Sequence, residues 1–451
     1  MNQFIFREYD IRGVAGVDLT PEVDNLVGKG VGTYMMNHGV SRVSVGRDGR
    51  WSSPEIFEAM VKGLRSVGVT VVDLGIIPTP LSYYSAYKLD VGGTIMITGS
   101  HNPPDHNGFK ITMRTGGIFG EEIQVIKRII LENAYTSGKG GLESYNIIPE
   151  YLDDMAGRLS LVRPVSIGVD CGNGVGGLTA GPLLERLGCK VTMLYDKIDG
   201  TFPNHHPDPT LPETMVDLAK TVVDNKLECG FAYDGDADRI GMVDEKGKIL
   251  WGDQILAIIA RSILKERPGA IVIGEVKCSE LLYEDIRKHG GQPLMYKVGH
   301  SLAKQKMLEV GAELGGEVSG HIYIKHRFYG FDDAIYNTGR MLEIIAKSDI
   351  PVSRFLEDWP PMFNTPELKI DCGDDVKFEV VEKVKQYFAP RYTINDIDGM
   401  RVSMPGGWGL VRASNTTPVL TLRFEANSEN RLKEIQDEVE SAVTNILKQY
   451  R

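Results

Sequence analysis

Val165-Ser166-Ile167-Gly168, a helical stretch ending near Leu187, then Gly188 and Lys190-Val191-Thr192-Met193-Leu194 read as strand, helix and strand punctuated by glycine. The arrangement also occurs at Val43-Ser44-Val45-Gly46, with a helix from about Pro54 to Val67, Gly68 and Val69-Thr70-Val71-Val72. It returns at Ile271-Val272-Ile273-Gly274, with a helix over Ser279 to His289, Gly290 and Pro293-Leu294-Met295-Tyr296. A βαβ unit used three times predicts mixed or parallel sheets covered by helices. After each unit a further strand leads into a polar, glycine-bearing loop: Thr98 to Pro103, Asp234 to Arg239 and Gly316 to His321. Ligands of open α/β sheets sit outside the carboxyl ends of the strands, so these loops are expected to meet around one cleft.

From about Pro361 the pattern changes. Short strands (Glu367 to Ile370, Gly399 to Ser403, Gly409 to Arg412, Val419 to Glu425) mix with helices near Val376 to Phe388 and Glu429 to Lys448. The fold class read from this is α/β: three repeated mixed-sheet βαβ-type domains plus a smaller C-terminal α+β domain around a central cleft. The expected limits are 1–147, 148–248, 249–360 and 361–451.

A chain of 451 residues with 42% hydrophobic and 25% charged residues has ample apolar sequence for several cores. Its net charge of -11 argues against nucleic acid or an acidic membrane surface as partner. The five cysteines, Cys171, Cys189, Cys229, Cys278 and Cys372, form neither a CxxC pair nor a His/Cys cluster. Neither disulfides nor zinc are indicated, and a cytoplasmic setting is expected. No apolar run approaches the roughly 20 residues that cross a bilayer. Small molecules are the expected partners.

Asp234-Gly-Asp236-Ala-Asp238-Arg239 alternates carboxylates with small residues, so a tight loop could close them around one hard cation such as magnesium. An EF-hand is the rival reading, since Asp234, Asp236, Asp238 and Glu245 fall at its positions 1, 3, 5 and 12. It fails at position 6, where Arg239 replaces the required glycine, and the flanks look like strands. Ser100 lies in the equivalent loop of the first unit, crowded by His101, Asn102 and Lys110. A hydroxyl and a metal nest in equivalent loops suggest a phosphoryl acceptor beside its cation. Gly172, Gly174 and Gly177 spell GxGxxG with Asp196 about 20 residues on, which taken alone proposes dinucleotide binding and otherwise a tight strand-to-helix turn.

Glu317, Ser319 and His321 alternate and can share one face of an extended loop, suited to sugar hydroxyls. Arg412 to Pro418, with Ser414, Asn415 and Thr416, offers a guanidinium, hydroxyls and an amide suited to phosphate oxygens. Lys277, His300 and Arg12 are further candidates, each also readable as a surface or anchoring residue.

These segments together resemble the α-D-phosphohexomutase family, closest to its bacterial phosphomannomutase/phosphoglucomutase members. The likeness rests on Tyr9-Asp-Ile-Arg-Gly13, Thr98-Gly-Ser-His-Asn-Pro103, Asn107-Gly-Phe-Lys110, Asp234 to Arg239, Gly316 to His321 and Arg412 to Pro418, and runs essentially end to end. It implies a phosphoryl group on Ser100, with Mg²⁺ held by that phosphate and by Asp234, Asp236 and Asp238. It further implies reversible interchange of hexose 1-phosphate and hexose 6-phosphate through a hexose 1,6-bisphosphate. Lys110, Arg239, His300 and Arg12 would handle charge and protons. Tyr9, Lys277, Glu317, Ser319, His321, Arg412, Ser414, Asn415 and Thr416 would bind substrate. A monomer or weak homodimer is expected. Ala237 and Val318 depart from the glycine and methionine common in relatives, without removing a polar ligand. The competing readings are a phosphoglucosamine mutase of the same family, a nicotinamide-dependent oxidoreductase and a non-catalytic sugar-phosphate binding protein.

Overall fold

The structure is a computed structural model that describes residues 1–114, 116–414 and 417–450. Its strands form four sheets. In the first, Arg42–Arg47 is flanked by two parallel neighbours, Thr70–Ile76 on one side and Gly93–Ile97 on the other. His106–Met113 then runs antiparallel beside Gly93–Ile97. The second sheet repeats this around Ser166–Asp170, with Lys190–Leu194, Cys229–Tyr233 and antiparallel Ile240–Asp244. The third repeats it around Ile271–Glu275, with Gln292–Tyr296, Leu314–Gly316 and antiparallel Ile322–Ile324.

The three polar loops therefore occupy one topological position, between the third parallel strand and its antiparallel neighbour. Cys229–Tyr233 and Ile240–Asp244 pair as strands, not EF-hand helices.

Each unit also carries a helix between its second and third strands: Thr79–Lys88, Val216–Asp224 and His300–Val310. The sequence reading left these unassigned. In Thr79–Lys88 the first seven residues are all buried, so no polar face marks a helical period. The second unit's first helix, Ala180–Arg186, is only seven residues long and follows a 3₁₀ turn over Val175–Leu178.

The glycines before it have packing reasons. A Cβ on Gly174 would lie 2.6 Å from the Gly235 carbonyl oxygen, and one on Gly177 would lie 2.3 Å from that of Asp196. GxGxxG is accounted for here as a tight strand-to-helix turn.

Beside a separate core of the first unit around Val27, Val45 and Phe109, one apolar core is common to all three units. It runs from Leu81 and Tyr84 through Tyr151, Leu183 and Tyr233 to Ile259, Tyr283 and Ile335. Full burial of side chains of this size stabilises by about 1.5–3 kcal/mol each. The C-terminal antiparallel sheet is covered by Lys377–Phe388 and Glu429–Leu447 and has its own core around Val384, Phe388, Phe424 and Val443. It meets the third unit through a small cluster of Val276, Trp408 and Leu410. There the Arg401 guanidinium lies 3.9 Å from the Trp408 ring centroid and donates to the Val276 and Cys278 carbonyls at 2.7 and 2.9 Å. Among the described residues, no helix is long and apolar enough to cross a membrane.

Candidate active site

Ser100 is buried, and its φ of +48° lies in the left-handed region that non-glycine residues rarely adopt. Three neighbours hold it there. Its backbone N–H donates to Thr98 Oγ1 at 2.8 Å, and Thr98 Oγ1 donates onward to Asp236 Oδ2 at 3.0 Å. Its carbonyl lies against Gly235, where a Cβ would come within 2.5 Å of the oxygen. The hydroxyl donates to Asp234 Oδ2 at 2.7 Å. Two loops from different sheets thus lock together backbone to backbone, with the hydroxyl aimed at the carboxylates.

The three aspartates are fully buried, with one oxygen from each within 4.8 Å of the others. Asp234 Oδ1 accepts the backbone N–H groups of Asp238 and Arg239, each at 3.1 Å. Asp236 Oδ2 accepts from Thr79 Oγ1 at 2.6 Å and from Lys110 Nζ at 2.8 Å. Lys110 Nζ also donates to Asp238 Oδ2 at 2.5 Å. Asp236 Oδ1 and Asp238 Oδ1 are buried without a hydrogen-bond partner. Buried polar atoms are nearly always satisfied, so two orphaned carboxylate oxygens in an all-oxygen nest fit a hard divalent cation. Burial and the charges of Asp236 and Asp238 push Asp234 well above the usual carboxylate range. Burial disfavours the charge on Lys110, but Asp236 and Asp238 outweigh it and hold the ammonium well above its ordinary value.

The third unit supplies the facing wall. His321 accepts at Nε2 from Arg239 Nε at 3.0 Å, and its Nδ1 lies 2.9 Å from Asp332 Oδ2, within ion-pair reach but not aligned as a hydrogen bond. His300 stacks on His321 with ring centroids 5.3 Å apart. Burial and the nearby Lys304 charge depress the His300 imidazole far below its ordinary range. Glu317 is gripped at Oε1 by the Gly299 N–H at 3.2 Å and the Tyr323 hydroxyl at 2.9 Å, while Ser319 Oγ donates to Oε2 at 3.1 Å.

Ser100, Lys110, Arg239, His300, Glu317 and His321 line one cleft of about 570 Å³. Tyr9 and Arg12 from the first unit and Thr417 from the C-terminal unit also line it. Arg12 donates to Asn102 Oδ1 at 3.1 Å, and Tyr9 donates from its hydroxyl to the Val298 carbonyl at 3.1 Å.

Other expected site residues stand back from this wall. Lys277 lies between Glu275 at 3.6 Å and Glu367 at 3.3 Å. Burial pushes Glu275 up to about 7 against the pull of Lys277. Arg412 donates to Asp398 Oδ2 at 3.1 Å, and the same oxygen accepts the Val298 N–H at 3.1 Å. Ser414 Oγ is 2.8 Å from Thr417 Oγ1. Asn415 and Thr416 lie outside the described residues.

The sequence reading overlooked Asp48, Arg50, Thr79, Lys304 and Asp332. Asp48 and Arg50 follow directly on the apolar first strand, a charged pair at the ligand-facing edge, and that position could have marked them. Asp332 sits in a loop beyond the third unit's strands, and only its ion pairs with Lys304 at 2.8 Å and His321 reveal it.

Four family models cover the chain in order. Those described as phosphoglucomutase/phosphomannomutase, alpha/beta/alpha domains I, II and III match residues 3–137, 149–247 and 251–363, and the C-terminal domain matches 367–442. The chain belongs to the phosphoglucomutase/phosphomannomutase family. It is 44% identical over 433 residues to a phosphomannomutase/phosphoglucomutase of Pseudomonas aeruginosa, spanning 96% of this chain and 94% of that one. A phosphoglucomutase of Neisseria gonorrhoeae is 41% identical over 444 residues, spanning 97% of this chain and 96% of that one. An X-ray structure of a phosphoglucomutase/phosphomannomutase family protein from Burkholderia thailandensis superposes with a TM-score of 0.94 at 42% identity, covering 99% of this chain and 98% of that one. This phosphohexomutase is thus an isomerase, and the likenesses favour neither the aminosugar mutase nor the oxidoreductase reading.

Proposed function

We propose that this phosphohexomutase interconverts the 1-phosphates and 6-phosphates of glucose and mannose through a phosphoryl group carried on Ser100. The observation that carries this is the Ser100 hydroxyl, donating at 2.7 Å to Asp234 beside two carboxylate oxygens that lack partners. We take the chain as four domains, 1–147, 148–248, 249–360 and 361–451, each contributing one loop to the reaction.

Asp234, Asp236 and Asp238 would hold Mg²⁺ together with the phosphate on Ser100. When bound, the ion neutralises charge on the migrating phosphoryl group and orients it. In the first half-reaction the free sugar hydroxyl attacks phosphorus and gives up its proton, the bond from phosphorus to Ser100 Oγ breaks with Oγ taking up a proton as it leaves, and a hexose 1,6-bisphosphate results. In the second half, Ser100 takes the other phosphoryl group back from the reoriented bisphosphate. Positioning and electrostatic stabilisation supply most of the rate in such transfers.

Lys110, held as an ammonium by Asp236 and Asp238, supplies positive charge rather than a base. Arg239 and Arg12, which line the same cleft, supply more. The proton released by the sugar hydroxyl goes to His300, whose Nδ1 is buried without a hydrogen-bond partner. Glu317 and Ser319 grip the hydroxyls at C3 and C4, which exchange places when the ring is turned over and leave C2 unread. Arg412, Ser414, Asn415 and Thr416 hold the distal phosphate, with Tyr9, Lys277 and His321 completing the substrate grip.

The test is conversion of glucose 1-phosphate to glucose 6-phosphate with a trace of glucose 1,6-bisphosphate, run beside mannose 1-phosphate. Turnover of both sugars is the expected result. Failure on both would reject the reading, and failure on one would reject the indifference to C2.

A further inference from the structure

Lys110, His300 and Tyr9 line the catalytic cleft and also a second cavity, of about 430 Å³, between the helix His300–Val310 and the strand His106–Met113. That volume lies within the range of about 300–1,000 Å³ typical of small-molecule sites. Its walls carry the rings of Tyr83, Tyr87, Tyr329 and Phe331. Arg114, Lys304 and Lys325 also reach it, and among the described residues no aspartate or glutamate lines it. In a protein of net charge -11, a cavity with cations and no carboxylate is selective for anions.

The cations differ in how far they are already occupied. Lys304 donates to Asp332 at 2.8 Å and lies 4.2 Å from the Tyr83 ring centroid. Arg114 donates at 3.3 Å to the Leu89 carbonyl, an exposed neutral contact, and among the described residues neither it nor Lys325 forms an ion pair with a carboxylate.

The rings form a cluster. Tyr329 and Phe331 are 5.9 Å apart with planes within 2°, and Tyr87 leans against both, 4.6 Å from Tyr329 and 6.0 Å from Phe331 with planes tilted by 38° and 36°. Tyr87 is 56% exposed, so this ring of the cluster faces solvent. An open ring face accepts another planar ring, and a guanidinium and an ammonium lining one cavity suit phosphate oxygens.

We propose that this cavity binds a nucleoside phosphate, its base lying on the open face of Tyr87 and its phosphates meeting Arg114 and Lys325. The site shares a wall with the sugar-phosphate cleft but uses none of the serine, aspartate or sugar loops, so the proposal stands whichever hexose phosphate the enzyme prefers.

Calorimetric titration of the full-length protein with ADP, in the presence of glucose 1-phosphate, tests it, with inorganic phosphate as the comparison probe. The expected result is ADP binding at one site per chain with a Kd below about 1 mM. Tyr87→Ala and Arg114→Gln, each checked for an unchanged melting profile, are expected to weaken it by about tenfold or more. No ADP binding up to about 5 mM overturns the proposal. Unchanged affinity in both variants, or inorganic phosphate binding as tightly as ADP, overturns it equally.

Discussion

Arg50 donates from Nη2 to the carbonyl oxygen of Ser100 at 2.8 Å. The same guanidinium reaches the carbonyls of Asn102 at 2.7 Å, Pro103 at 2.5 Å and His106 at 3.1 Å, and is anchored through Nε on Asp48 at 3.1 Å. Its side chain is 1% exposed. The serine loop is therefore folded around a buried fork, and Gly99 is glycine because a Cβ there would sit 2.5 Å from the guanidinium.

An ammonium cannot reproduce that fan of donors. Arg50→Lys is expected to fold with a melting temperature several degrees lower and to lose about 10- to 100-fold in turnover, with KM changed only a few-fold. Steady-state kinetics beside thermal melts check this. A folded variant with wild-type turnover would remove Arg50 from the positioning of Ser100.

Ser100→Ala leaves the surrounding loop contacts in place, because the backbone N–H and carbonyl carry them. Turnover is expected to fall by at least about a thousandfold, and mass spectrometry should find phosphate on the wild-type serine but not on the variant. Near-full activity without the hydroxyl would mean that another residue carries the phosphoryl group.

Chelation of divalent ions should silence the enzyme, with Mg²⁺ restoring it. Asp236→Asn should raise the Mg²⁺ concentration needed for half activity by about tenfold or more, since it removes charge from the nest and disturbs the bond from Lys110. Titration of activity against Mg²⁺ in both proteins reads this directly. Identical curves would place the ion elsewhere.

Asp24 gives a pH dependence of stability remote from the cleft. Helices Pro21–Asn37 and Ser53–Ser66 cross so closely that a Cβ on Gly28 would lie 2.3 Å from the Met60 carbonyl oxygen. This contact accompanies burial of Asp24, which is 1% exposed with neither carboxylate oxygen hydrogen-bonded. Burial, reinforced by the charges of Glu55 and Glu22, raises its pKa from 3.8 to about 7. The folded state holds this proton more tightly than the unfolded chain, so the associated stability is complete below about pH 4 and is lost as pH rises towards 7. The full swing is of order 4 kcal/mol. Asp24→Asn is expected to melt higher than wild type at pH 8, with the gap closing towards pH 4. A gap independent of pH would show that the carboxyl does not titrate as described.

The repeat was legible because Val43, Val165 and Ile271 each begin an apolar strand that ends in glycine, and period and punctuation suffice to mark a βαβ unit. The helix Thr79–Lys88 was not, because it is buried along most of its length and lacks the polar face that periodicity detects. At the site, Ser100 and the three aspartates stood out as polar residues in loops after apolar strands. Arg50 and Asp332 did not, since their roles exist only through contacts between distant segments: four loop carbonyls for one, a histidine and a lysine for the other. Lys277 and Arg412 were legible as cations, but not their carboxylate partners Glu275, Glu367 and Asp398.

That the polar loops of the three sheets leave from the same strand end has a bearing on how the protein can be altered. In the proposed mechanism phosphate donor, cation and sugar grip are borne by separate copies of one scaffold, each with its own strands beneath it. On that division, substitutions at Val318 or Ser319 are expected to retune which sugar is accepted while the framework under Ser100 and Asp234 stays untouched, which makes substrate range the property most open to redesign.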